Sequence, residues 1–432
     1  MSILVALLAL SFLIFVHELG HFLVAKAVGV KVLEFSMFMG PKLLSFTKGE
    51  TTYSLRLIPM GGFVKMEGED ENSEDPRAFN RQPVFKRALI ILAGPVMNFI
   101  TAFLLAGIVL SSVGFYTNRV TEFAQNSALQ AAGMEVGDKF LSYGGKRLFD
   151  PASDLNILLY GEDGEPKQIR YYDESEKKTV EKVITPGRTE TRFRLGFTAR
   201  VVNGEATNIV DAIETDSPIM KANMKIGDRI VAIDGTPMNT TQDIINYLNV
   251  TRTDKTAPLT LTVDRGGKTL TFDQIVPFSD FQYTLGVGLE HKNGNFGEIL
   301  NATGNYSVST MRNVLMTLGW LFEGKLSFKE LSGPVGIINT VGSVVETEQP
   351  LSETVIKLLY LCSFISINLG VMNLIPFPAL DGSILLLLLI EKIRGKPLPQ
   401  DKMGLISMIG FVLLVCVLIA TLFNDIPRLS LR

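Results

Sequence analysis

The chain has 432 residues, room for more than one folding unit, and 47% of them are hydrophobic against 20% charged, too apolar a balance for an ordinary soluble protein. A net charge of −3, with no basic block interleaved with aromatics, argues against a nucleic-acid partner. The two cysteines, Cys362 and Cys416, both fall in apolar stretches and exclude a disulfide framework or a CxxC metal site.

Residues 1–28 form a first apolar segment long enough to cross roughly 30 Å of hydrocarbon. It lacks the basic start and small-residue cleavage site of a removable signal peptide, so it reads as an uncleaved membrane span. Inside it stands His17-Glu18-Leu19-Gly20-His21, although burying ionisable groups in lipid costs about 2–4 kcal/mol each. Histidines at i and i+4 share one helix face, one turn apart, which is the spacing that two zinc ligands need. Glu18 lies beside them as a candidate general base for a zinc-activated water. A polar patch at a helix end is the plainer alternative.

Residues 29–87 form a basic loop in which 50–66 alternates at period two and carries Gly61-Gly62 as a turn. This predicts a β-hairpin, either a structural cap or an edge on which an extended segment could pair. Residues 88–114 form a second span, interrupted by Gly94-Pro95 and Asn98, which a helix kink and an interhelical hydrogen bond would explain. Residues 115–292 contain an internal near-repeat. Ala131-Ala132-Gly133-Met134-Glu135-Val136-Gly137-Asp138 is echoed by Ala222-Asn223-Met224-Lys225-Ile226-Gly227-Asp228. Both copies resemble the PDZ domain in its circularly permuted bacterial form, giving one domain over 115–200 and a second over 201–292. Such domains bind extended peptides by strand addition, and two small β-rich domains without a ligand are the alternative.

Residues 293–350 turn to helical spacing, with Val308, Met311, Val314, Leu315, Leu318 and Leu321-Phe322 on one face and Trp320 near its end. An amphipathic helix on the outer membrane surface is expected, or one packed against the repeat pair. Residues 351–392 form a third span broken at Asn373-Leu374-Ile375-Pro376-Phe377-Pro378-Ala379-Leu380-Asp381-Gly382, and 403–424 a fourth. Backbone freed by prolines at membrane depth is tolerated only around a polar cavity. Asp381 there needs a positive partner, zinc or a lysine at the membrane edge. Lysines and arginines concentrate between spans one and two and between three and four, so those loops are expected to be cytoplasmic. Both termini and the repeats then face the other side; Arg428 and Arg432 are a mild counter-signal.

The motif at 17–21, Asn373 and Leu380-Asp381-Gly382 together resemble the site-2 protease family of intramembrane zinc metalloproteases. Four spans with a tandem PDZ insertion resemble its bacterial sigma-E-regulating branch, and the likeness covers the whole chain. It implies a multi-pass α-helical membrane protein of four transmembrane helices, with a membrane-associated β-hairpin and two extracytoplasmic PDZ domains. It implies one zinc ion held by His17, His21 and Asp381, with Glu18 as catalytic base and Asn373 at the oxyanion. A hairpin edge near Tyr53, Ser54, Leu55, Arg56, Leu57, Gly61, Gly62 and Phe63 would hold the unwound substrate strand. The expected substrates are single-span membrane proteins, an anti-sigma factor and signal-peptide remnants among them, met in the lipid bilayer of the bacterial inner membrane by a monomer. The PDZ pair would filter substrate size. Ser383 replaces a glycine frequent in the family and is expected to change only local packing. Two rivals remain: a membrane zincin of another type, and a non-enzymatic PDZ scaffold.

Overall fold

The computed structural model describes residues 2–69, 71–202, 205–214, 216–327, 333–346, 350–396 and 400–429. The chain divides into two compact units. One comprises Met1–Arg119, Arg147–Ile157 and Leu289–Asp425, the other Val120–Lys146, Leu158–Gly288 and Ile426–Arg432.

Among the described residues, the first unit holds four helices long and apolar enough to cross a membrane: Ile3–Ala27, Val84–Val113, Leu351–Leu374 and Gly404–Phe423. The first two touch at small residues; a Cβ on Gly20 would lie 2.3 Å from the Ala93 carbonyl oxygen. Without a hydrophobic driving force in lipid, such close backbone approach is what holds helices together. The second and third meet through Ala102, Ala106, Ile367 and Val371. The Ser363 hydroxyl donates to the Ala102 carbonyl at 2.9 Å, and the Ser366 hydroxyl to the Asn98 carbonyl at 2.8 Å.

The third span ends at Leu374 because Pro376 and Pro378 cannot donate to a helix ladder. The chain turns through Ala379, at a φ of 75°, and begins a new helix, Asp381–Arg394. Gly382 makes that turn possible: a Cβ there would sit 2.3 Å from the Ile375 carbonyl oxygen. An ion pair between Arg87 and Glu391, both largely buried, ties the new helix to the second span.

The predicted hairpin exists but is larger, and its turn lies elsewhere. Strands Val32–Lys48 and Thr51–Met66 are joined at Gly49-Glu50, whereas Gly62 sits within a strand opposite Met37. Both strands bend, so residues 34–37 pair with 62–65 on one side and with 52–55 on the other, while 44–48 also pair with 51–55. The result is a four-segment sheet in which 51–55 is interior and 62–66 forms an edge. The alternation at 50–66 correctly signals a strand. The missed partner, Val32–Lys48, is masked by its mixed apolar run.

Helix Phe296–Phe322 starts in a capping box of Asn295 and Glu298. It buries a polar face, Thr303, Tyr306, Ser309, Thr310 and Asn313, and leaves Val308, Leu315 and Phe322 exposed. Of the predicted apolar face, only Met311 and Val314 pack against the cluster around Tyr306. The polar face is claimed by Asp154, which is fully buried and accepts from Ser309, Asn313 and, at 2.6 Å, Arg312. Helix Pro334–Glu346 follows, with Asp425 accepting from the Gly333 and Gly336 amides.

In the second unit, the repeat seen in the sequence is a repeat of structure. Ser127 caps helix Ala128–Ala131 and Ser217 caps Pro218–Lys221. Asp138 accepts from the Glu135 amide at 2.9 Å, and Asp228 from the Lys225 amide at 2.9 Å. Gly133 and Asn223 occupy the same left-handed turn position, at φ 93° and 59°, a conformation asparagine tolerates. The second copy's sheet runs 268–275, 259–265, 229–233, 205–213, 197–202 around a core that includes Val210, Ile230, Leu261 and Val263. The first copy's sheet runs 287–292, 115–123, 139–143, 167–173, 178–184. Strand Val287–Lys292 therefore belongs with the first copy, outside its expected range of 115–200, and the second copy is inserted within the first. The two copies match at this point: the Ala124 amide donates to the Gly286 carbonyl just as the Glu214 amide donates to the Gly196 carbonyl, so in each the strand after that glycine enters the sheet.

Candidate metal centre

His17 and His21 lie in the third quarter of helix Ser2–Ala27, each 7% exposed, with ring centroids 4.7 Å apart. The break after the third span brings Asp381 to them. His17 Nε2 and His21 Nε2 are 3.1 Å apart, and Asp381 Oδ2 lies 3.0 Å from the first and 3.4 Å from the second. Zinc ligands about 2.0 Å from a tetrahedral ion stand roughly 3.3 Å from one another, so these separations fit one ion.

The proton inventory points the same way. His21 Nδ1 lies 2.8 Å from the Ile90 carbonyl, which can only accept, so this nitrogen carries the proton and Nε2 keeps a lone pair. Asp381 Oδ2 is buried without a hydrogen bond. Nitrogen and carboxylate lone pairs thus converge on one point, an arrangement that needs a cation. A His17 that offers Nε2 as ligand holds its proton on Nδ1. The Asn98 side-chain amide is fully buried and meets that nitrogen at 3.1 Å through Nδ2, while its Oδ1 has no partner; turning the amide over presents Oδ1 to the Nδ1 proton. Among the described residues, His17, His21 and Asp381 are the one group of His, Cys, Asp or Glu arranged for a metal.

Around this cluster, Gly94 leaves room for the rings, since a Cβ there would lie 2.3 Å from His21 Nε2. Asn373 Nδ2 is 3.4 Å from the His17 ring nitrogens. The Val64 backbone amide faces the Glu18 carboxylate, and a Cβ on Gly62 would meet the Ser36 carbonyl at 2.8 Å and Glu18 Cγ at 3.6 Å. Ser11 Oγ donates to the Pro59 carbonyl at 2.6 Å, anchoring the sheet to the motif helix. Ser383 turns inward and donates to the Leu380 carbonyl at 2.8 Å.

The eight hairpin residues singled out by sequence separate into two sets. Tyr53 stacks on Phe46 at 5.2 Å, Ser54 donates to Glu34 at 2.6 Å, and Leu55 pairs with both Met37 and Leu44. Arg56 is held by Glu34 at 2.9 Å and lies over Phe63 at 5.0 Å; Leu57 is exposed. Gly61, Gly62 and Phe63 lead into the edge beside Glu18. Gly94 and Asn98 were visible in the sequence as polar or small interruptions of span two, but nothing there told which histidine they serve.

A HExxH helix completed by a distant aspartate, on a scaffold of apolar spans, defines a membrane metallopeptidase. The profile of peptidase family M50, the site-2 proteases, matches residues 5–417, and this chain belongs to that family. It is 32% identical to the regulator of sigma-E protease RseP of Escherichia coli over 452 residues, 98% of each chain. It is 30% identical to the zinc metalloprotease RasP of Geobacillus kaustophilus over 449 residues, 100% of this chain and 99% of the relative. The solved PDZ domain of HtrA3 bound to a phage-derived ligand is similar over 22% of this chain and 92% of its own, at 24% identity and a TM-score of 0.18, too low to bear on the fold. The protein is a zinc-dependent metalloendopeptidase with four helices able to span a membrane.

Proposed function

We propose that the chain cleaves transmembrane segments of single-span proteins within the bacterial inner membrane, with His17, His21 and Asp381 as the zinc ligands. The observation that carries this reading is the convergence of three lone-pair donors, two of them inside an apolar span, next to the edge segment 62–66. Zinc, when bound, supplies a Lewis acid that polarises the scissile carbonyl and acidifies water. Glu18 takes the proton from the attacking water and returns it to the leaving amine. The Asn373 amide donates to the oxygen on which charge develops.

A substrate helix hides its carbonyls in its own hydrogen bonds, so it must unwind before attack. Residues 62–66 offer an unpaired strand edge beside Glu18 that can take over those bonds, whereas 52–55 are already paired on both sides. Gly62, lacking a side chain, keeps that approach open.

The twin repeats act as PDZ-type domains that admit only trimmed substrates, and the basic loops flanking the site face the cytoplasm. An anti-sigma factor and remnant signal peptides are the substrates this reading favours, supported by the resemblance to RseP. The test is Glu18→Gln in proteoliposomes holding a fluorescent single-span reporter. Cleavage is expected to fall by about 10²–10⁴-fold with zinc content unchanged. Turnover at the wild-type rate would sink the mechanism.

A further inference from the structure

Away from the metal centre, the first unit holds an open-mouthed cavity of about 510 Å³, within the size range of small-ligand sites. Its polar walls include Asp150, Asn156, Asn301, Asn305, Tyr306 and Tyr360. The last turns of helix Val84–Val113 close one side with Val109, Leu110 and Val113. The M50 chemistry uses none of these groups.

Asp150 stands at the start of helix Pro151–Tyr160 and accepts from the Ser153 amide, but among the described residues no ion pair joins it to a cation. Burial, together with repulsion from Asp154, pushes its carboxyl up to about 6. Asp154 itself is neutralised by Arg312 at 2.6 Å. The other titratable groups near Asp150 are Tyr306 and Tyr360, whose rings lie 5.6 Å apart at 48°. His291 stands at the rim, exposed and edge-on to Tyr116 at 4.8 Å. The cavity therefore presents one negative charge, amide oxygens and aromatic faces; among the described residues no lysine or arginine lines it, although the Arg147 and Arg312 guanidiniums lie over the ring of its lining residue Phe149, at 5.2 and 5.4 Å.

That chemistry rejects an anion. A divalent metal is equally poorly served, because it needs several charged oxygens and only one carboxylate is available. A compact organic cation fits: it gains a counter-ion, amide acceptors for its N–H groups and aromatic faces. The apolar wall suits a short carbon chain behind the charge.

We propose that this cavity binds a primary ammonium group on a short alkyl chain, with Asp150 as its counter-ion. Two sources carry that chemistry, a free alkylamine and the ethanolamine headgroup of a phospholipid. The site rests on this chain's own residues and stands or falls independently of its peptidase substrates.

Ethanolamine is titrated calorimetrically into the full-length protein in phosphatidylcholine–phosphatidylglycerol nanodiscs, and native mass spectrometry compares retention of phosphatidylethanolamine with phosphatidylglycerol. Saturable uptake of ethanolamine identifies a free-amine site. Retention of phosphatidylethanolamine alone identifies the lipid headgroup; either supports the proposal. In both cases Asp150→Asn, which keeps an N-cap, is expected to weaken binding roughly tenfold or more. Binding to the wild type is expected to weaken by a similar factor between pH 7.5 and pH 5, as the carboxylate is protonated. Ala302→Phe, which fills the cavity without touching charge, gives the same loss should the first variant fold poorly. Wild-type affinity for both ligands in both variants, or no binding of either ligand to the wild type, overturns the proposal.

Discussion

Two aspartates in this chain, one fully buried and one half-buried with its Oδ2 out of solvent, are satisfied in opposite ways. Asp228, in the second repeat, is fully buried and receives the Lys225 amide at 2.9 Å and the Arg265 guanidinium at 2.6 and 2.7 Å. Every demand of its charge is met by the chain itself. Asp381, in the broken third span, faces two imidazole nitrogens, one of which carries no proton, and its Oδ2 accepts nothing. The difference separates a carboxylate the chain itself satisfies from one arranged so that it could hold a metal, and it is legible only from who the neighbours are. A buried anion without donors is a cost that folding does not tolerate unless something else arrives to pair with it.

The contrast can be broken or sharpened by substitution. Asp381→Ala is expected to have the largest effect, loss of stoichiometric zinc with loss of peptidase activity. Full zinc occupancy by metal analysis would mean that another residue completes the site. Asn98→Ala removes the buried side-chain amide that faces His17 Nδ1, and zinc affinity measured by chelator competition is expected to drop by about 10–100-fold. Gly62→Ala forces a methyl to 2.8 Å from the Ser36 carbonyl, narrowing the edge beside Glu18. Cleavage of the reporter is expected to slow roughly tenfold, an effect comparable to misplacing a substrate strand, while zinc content stays whole.

Asp228→Asn should leave zinc and cleavage alone and lower thermal stability by about 2 kcal/mol. Burial pushes the Asp228 carboxyl up, but the Arg265 guanidinium and the Lys225 amide outweigh it and hold the group below its ordinary 3.8. A depressed carboxyl stabilises the fold above the unfolded value and ceases to do so as pH falls through the folded one. Unfolding of the wild type is therefore expected to become easier as pH drops below about 3.8, and the asparagine variant to lose that part of the slope. A pH profile unchanged by the substitution would show that Arg265 contributes nothing to the pairing.

Much of this molecule could be read from residue order because the forces concerned act over a few positions. The His17–His21 spacing makes one helix face, Pro376 and Pro378 end a helix, and the Gly-Asp turns of the two repeats form wherever that sequence occurs. Apolar runs of sufficient length marked the four spans for the same reason. The hairpin was half legible. Alternation identifies strand Thr51–Met66, but the turn expected at Gly61-Gly62 lies at Gly49-Glu50, because a glycine pair looks alike whether it reverses the chain or lets another group approach.

What only the tertiary structure decided were pairings between distant positions. Which edge of the sheet lies open, that Val287–Lys292 closes the first repeat's sheet, that the Ile90 carbonyl fixes the proton of His21 and that Asn98 faces His17 all depend on helices and strands meeting across the chain. The opening motif needed Asp381, 360 residues beyond His21, before its lone pairs had a common focus. A spacing of four specifies a helix face by itself, but the point in space toward which that face looks is set by packing.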